Sequence, residues 1–263
     1  MSDAIRLLVR ADDAGSSWSS NMGCYRACAE GIARGVEVMM PGAWVPHAAE
    51  LFNAAPRIDV GIHLTLTSEW DAVKWRPLTH APSLTDEAGY FLPLLSPRAG
   101  DRRPCLARAA WSLDEVACEL RAQVALGVAM FKHVSHVSTH MLRHLHEFDA
   151  RVGEVVADIC GEFGLADDAF GHGLPRIEGY PKLPRDGALR AAELARHLAA
   201  LEPGTYILID HPAVLSPELL ATGHEGYRDV AADRTSCLMA LTSETALRAI
   251  SDHGVELISY RDL

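Results

Sequence analysis

The chain lacks the features that mark several large protein classes. It has only six cysteines, at positions 24, 28, 105, 118, 160 and 237, and no CxxC pair. This argues against both a thiolate zinc module and a disulfide framework and suits buried thiols in a reducing compartment. No run of Lys or Arg occurs and the formal net charge is -11, which disfavours non-specific binding to nucleic acid or an anionic membrane. No apolar stretch approaches the length that crosses a bilayer. Met1-Ser2-Asp3-Ala4 leads directly into an apolar run, so no signal peptide is expected and a cytoplasmic location is. The first apolar run is not followed by a glycine-rich phosphate loop, and the chain has no internal repeat, low-complexity tract or linker.

What is there is a chain of 263 residues, 49% of them hydrophobic, enough for one large core spanning residues 1–263 as a single domain. Short apolar runs alternate with helical patterns. Strands are expected at 5–10, 36–40, 58–64, 133–138, 205–210 and 255–259. Helices are expected at 20–34, 46–55, 113–131, 147–164, 187–201 and 243–252; Ser112 and Glu115 have capping-box spacing, and Ser243 can cap the last. Residues 70–112, 165–186 and 212–241 read as loops, the first long enough to serve function or to pack as a lid. Strand–helix alternation with near-continuous apolar strands implies a mostly parallel sheet covered by helices. The expected class is α/β, and a distorted, TIM-like (β/α) barrel with long active-site loops fits better than an open doubly wound sheet.

The residues able to carry chemistry share one position, the end of a strand. They are Asp12 and Asp13, His63, the pair His136 and His140, and His211 before Pro212. Parallel strands bring these ends to one face although the residues are distant in sequence. Adjacent carboxylates repel unless a cation intervenes, and a divalent metal can take one and leave the other free for proton transfer; helix capping by Asp is the plainer alternative. One carboxylate with two histidines is a common ligand set for a catalytic metal. Five of the thirteen histidines lie between 133 and 146. If residues 136–144 were helical, three imidazoles would share a face; if the strand stops near Ser138, only His140 points into the site. His211 is a candidate acid or base. Trp70, Trp75 and Arg76 follow the third strand and are candidates to hold a sugar ring.

At these residues the chain resembles the YdjC-like carbohydrate deacetylases, the group that includes chitooligosaccharide and hopanoid deacetylases. The resemblance rests on Ala11-Asp12-Asp13-Ala14-Gly15, on Gly61-Ile62-His63-Leu64-Thr65-Leu66-Thr67-Ser68-Glu69-Trp70, on Thr139-His140-Met141, on His211-Pro212 and on Leu257-Ile258-Ser259-Tyr260-Arg261-Asp262. It implies a distorted (β/α) barrel and removal of an acetyl group from an N-acetylated sugar. It implies one divalent metal ion, zinc or magnesium, held by Asp13, His63 and His140, with Asp12 as general base and His211 as acid. A small carbohydrate is then the partner, and a homodimer is the commonest assembly for such a chain. Arg10 stands where the group often has Asn, and Ser138 and Leu142 stand where it usually has Asp and His. These departures spare the three ligands and bear on what supports them. Competing readings are another metal-dependent amidohydrolase or phosphoesterase, a non-catalytic barrel that only binds, and a metal-free isomerase using Asp12 and His211.

Overall fold

A computed structural model describes residues 4–168, 173–177 and 185–263. Its elements run β1 (Ile5–Ala14), α1 (Trp18–Ala29), β2 (Gly35–Val38), α2 (Val45–Asn53), β3 (Asp59–Leu64), α3 (Leu113–Met130), β4 (Val134–Thr139), α4 (Ala150–Phe163), β5 (Ala166–Asp167), α5 (Gly187–Ala199), β6 (Gly204–Asp210), α6 (Pro217–Leu220), α7 (Val230–Leu241), α8 (Glu244–Asp252) and β7 (Val255–Ile258). Of the loop expected over 165–186, residues 169–172 and 178–184 lie outside the described residues, as do residues 1–3 of the N-terminus.

The strands form one parallel sheet in the order β5-β4-β3-β2-β1-β6, with β7 also paired to β1. Strand β1 is the hub. One of its edges carries β6 along residues 5–11, and the other is shared between β7 at residues 5–8 and β2 at residues 10–14. The sheet curls into a half-barrel with helices outside, which is the distorted TIM-like architecture expected.

Alternation along the strands separates the two faces. Leu7, Val9 and Ala11 of β1, Val36 and Val38 of β2, Val60 and Ile62 of β3 and Val137 of β4 join one core with Phe52 of α2, Leu120 and Val124 of α3 and Val156 of α4. Full burial of such a side chain contributes about 1.5–3 kcal/mol. The intervening residues face the concave lumen. Its floor is a small apolar cluster of Leu8, Ile207, Ile258 and Tyr260; above that floor the lumen is lined by charged and polar groups.

Two expectations need correction. Residues 212–241 are not one polar loop, because α6 and α7 lie within them. The inward face of α7 buries Arg234 and Ser236 beside Val230, Cys237 and Leu241, so it shows no clean apolar stripe. Residues 70–112 are irregular as expected but well anchored. Leu84, Phe91, Leu94 and Leu106 are buried, and polar residues of α3 hold the loop's backbone. Glu119 accepts from the N–H groups of Leu78 and Thr79, and Glu115 from that of Ser83. Ser112 and Ser243 cap α3 and α8 as anticipated. All six cysteines are free thiols. Among the described residues no helix is long and apolar enough to cross a membrane.

Candidate metal centre

Neighbouring residues of a regular strand point to opposite faces, so Asp12 and Asp13 should diverge. They converge because β1 breaks its register between Ala11 and Ala14 and Asp13 adopts φ 72°. This is left-handed backbone, which Asp tolerates better than most residues. Met141, just beyond His140, has φ 69° and ends β4 in the same way. Such backbone costs of order 1–3 kcal/mol per residue and persists where the surroundings over-determine it.

Asp13, His63 and His140 offer ligand atoms that all lie within 4.8 Å of one another, and all three residues are buried. Asp13 Oδ1 is 3.2 Å from His140 Nδ1 and 3.7 Å from His63 Nε2. It is buried without a hydrogen bond of acceptable geometry. A buried carboxylate oxygen facing two imidazole nitrogens is a donor set that fits a divalent cation.

Each member of the triad is held from behind. Arg234 of α7 donates to Asp13 Oδ2 at 2.6 Å. His140 Nε2 faces Glu69 Oε2 at 3.1 Å. His63 Nδ1 is 2.7 Å from Ser138 Oγ. Metal-binding histidines are commonly oriented through their second nitrogen in this manner. Asp12 stands beside the triad, its Oδ2 3.7 Å from His63 Nε2. Arg10 holds both its oxygens through Nε at 2.7 Å and Nη2 at 2.8 Å. The same guanidinium reaches Asp168 and the Tyr260 hydroxyl, so the residue that departs from the usual Asn ties β1 to the lumen floor.

The charges follow from these contacts. Burial pushes the Asp13 carboxyl up, but Arg234 and His140 outweigh it and hold the group well below the ordinary range. Burial together with His140 holds His63 far below its usual value, leaving a neutral ring. Burial also disfavours charge on His140, yet Glu69 and Asp13 on either side raise it to about 10. A cation among the three ligands would take the place of the Nδ1 proton, since only a neutral imidazole ligates. Glu37 stays a carboxylate in spite of burial because His136 and Arg10 lie against it.

A cleft of about 1380 Å³ opens over the triad, and Asp12, Trp70, His211 and Arg234 help to line it. The structure thus brings Asp12, Asp13, His63, His140, His211 and Trp70 to one place. The other two candidates for holding sugar lie elsewhere. Trp75 is buried, with its indole N–H donated to the Thr67 carbonyl and its ring edge-on to His140 at 6.3 Å; it is a packing residue. Arg76 is exposed outside the cleft with its guanidinium 4.5 Å over the Tyr90 ring. The crowded histidines resolve as a strand ending at Thr139, not a helix. His136 lies deeper in the lumen on Glu37, and His144 pairs with Asp167. Three site residues escaped the sequence reading: Arg234, Glu69 and Glu37. Glu69 had one signal, its place in the Ser68-Glu69-Trp70 motif; the other two had none, because their partners meet them only through the fold.

A family model described as YdjC-like protein matches residues 6–252. A carbohydrate deacetylase of Thermus thermophilus is 33% identical over 229 residues, covering 81% of this chain and 79% of that one. A chitooligosaccharide deacetylase of Klebsiella pneumoniae is 27% identical over 271 residues, covering 98% of each. Among solved structures, an Enterococcus faecalis protein whose title refers to cellobiose-phosphate cleavage superposes with a TM-score of 0.75 at 19% identity, covering 98% of both chains.

Proposed function

Because this chain belongs to the YdjC-like family, we propose that it is a carbohydrate deacetylase that removes the acetyl group of an N-acetylated sugar or short oligosaccharide with the help of one divalent cation. The observation that carries this reading is the buried triad Asp13, His63 and His140, with an Asp13 oxygen that faces both imidazoles and lacks a hydrogen bond of acceptable geometry, lining the cleft. Relatives named as carbohydrate and chitooligosaccharide deacetylases support the substrate class.

Asp13, His63 and His140 would hold the cation; zinc suits the two imidazoles, and magnesium is the other candidate. When bound it supplies polarisation of the acetamide carbonyl and a lowered pKa for water at that point. Asp12 is oriented by its two bonds from Arg10 and keeps lone pairs for the cleft. It accepts the proton of the attacking water as that oxygen bonds to the carbonyl carbon. His211, at the end of β6 beside β1 and lining the same cleft, gives a proton to the sugar nitrogen as the C–N bond breaks. Acetate and a free amine are the products. Trp70 borders the cleft but is buried between Arg234, 5.6 Å over its ring, and the stacked His224, so it shapes the wall that a sugar would meet.

Arg98, Arg143 and Arg176 also line the cleft, and cationic side chains of that kind would suit a phosphoesterase. The test therefore compares acetate release from N,N'-diacetylchitobiose with phosphate release from sugar phosphates, on protein stripped by chelator and then given zinc or magnesium. Metal-restored acetate release supports the reading, and phosphate release alone overturns it. Asp12→Asn should keep the metal content and lower turnover about 10²–10⁴-fold; normal turnover would remove Asp12 as the base.

A further inference from the structure

Of the two imidazoles in the triad, only His140 has a carboxylate directly behind it, Glu69. Behind His63 stands Ser138, a neutral hydroxyl. Strand register shows where the missing charge lies. His63 of β3 sits opposite Ser138 of β4, and one row deeper Gly61 lies opposite both His136 of β4 and Glu37 of β2. Glu37 is therefore two strands from Ser138. It reaches across because Gly61 has no side chain: a Cβ there would fall 2.3 Å from Glu37 Oε2 and 2.4 Å from His136 Nε2.

The Ser138 hydroxyl donates a short hydrogen bond to Glu37 Oε2, while Oε1 is engaged by His136 Nε2 at 2.7 Å. With its single proton committed to Glu37, Ser138 Oγ can only accept from His63 Nδ1 at 2.7 Å. The ring proton is thus fixed on Nδ1, and the lone pair on Nε2 points at Asp13 and Asp12, 3.7 Å away in each case.

We propose that Glu37 is a positioning residue for the metal centre, acting through Ser138 and across the gap left by Gly61 to lock His63 in the tautomer that can ligate. A carboxylate from the opposite flanking strand, one row deeper, thereby supplies the charge that position 138 does not provide. The proposal rests on the reading that the triad holds a cation, and its consequence for the ring itself can be measured without one.

Two measurements test it. In chelator-treated protein, long-range ¹H–¹⁵N NMR of the histidine rings should show His63 wholly as the Nδ1–H tautomer, and Ser138→Ala should produce a mixture or the Nε2–H form. An unchanged tautomer in that variant overturns the relay. Calorimetric titration with Co²⁺ should give a dissociation constant about 10–100-fold weaker for Ser138→Ala. Glu37→Gln, which keeps the shape but loses the charge, should weaken it less. The double variant Ser138→Asp with Glu37→Gln places a carboxylate directly opposite His63 and should recover most of the affinity. A purely structural role would lower the melting temperature of all three variants and leave the Co²⁺ constant of the folded protein alone, which overturns the proposal. If Ser138→Ala does not fold, Glu37→Gln carries the same two readouts. No Co²⁺ binding by the unmodified protein overturns the reading of the triad itself, while the tautomer measurement still judges the relay.

Discussion

The two faces of the curled sheet solve different problems with the same strands. On the outer face, every second residue of β1 as far as Ala11, of β2 and of β3 is aliphatic and packs on helices in a single core, joined from β4 by Val137. On the lumen face, the residues between them are Arg10, Asp12, Glu37, His63, His136 and Ser138, all buried. An ordinary (β/α) barrel fills its interior with layers of branched apolar side chains. Here, among the described residues, the floor is an apolar cluster and the strands above it carry mostly polar and charged side chains into the lumen. The layers above are joined by hydrogen bonds and ion pairs, which cost desolvation and are retained only if each partner is satisfied. The outer face therefore holds the fold together, and the lumen holds a fixed arrangement of charge that the fold alone does not require.

The sharpest way to test this division is to remove one group from each face. Asp13→Asn keeps the volume and the tolerance for φ 72° but loses the charge. It should abolish tight metal binding and lower acetate release by at least about 10³-fold, read by elemental analysis and by turnover, while the protein stays folded. Phe52→Ala on the outer face, where the ring is fully buried, should cost about 3–5 kcal/mol in urea unfolding, yet the protein that remains folded should bind metal normally. If the first variant unfolded the protein, or the second altered metal affinity, the two faces would not be separable.

A smaller effect concerns pH. His140 is raised to about 10 between Asp13 and Glu69. A group whose pKa is raised on folding contributes stability below its unfolded value, near 6.5, and loses that contribution as pH rises through the folded value. The melting temperature of the metal-free protein should fall steadily between pH 7 and pH 10. With metal bound the imidazole is already neutral, so the curve should be flatter over that window. Parallel curves would count against His140 as a ligand. The smallest effect belongs to Arg76. Since it rests on Tyr90 outside the cleft, Arg76→Ala should change the KM for an acetylated chitooligosaccharide by less than about twofold, within the range of an exposed surface substitution.

The parallel sheet, and the gathering of Asp12, Asp13, His63, His140 and His211 at one end of it, were legible in sequence because strand periodicity is local and parallel topology does the rest. What stayed hidden was whatever depends on a partner from another element. Arg234 sits on a helix whose inward face carries a charge, so the helix itself read as loop; its burial makes sense only once Asp13 lies opposite. Glu37 is a lone acid in an apolar strand, given meaning by the hole at Gly61. β5 is two residues long, too short to show any period. Trp75 and Arg76 followed the right strand, but the loop turned their side chains elsewhere.

The break in β1 has one more consequence. Two neighbouring acids reach the same cleft only because the backbone reverses its handedness between them. A straight strand given the identical pentapeptide would send one acid outward into the helices. An attempt to transplant this chemistry to another scaffold should therefore copy the kink first, and choose the side chains second.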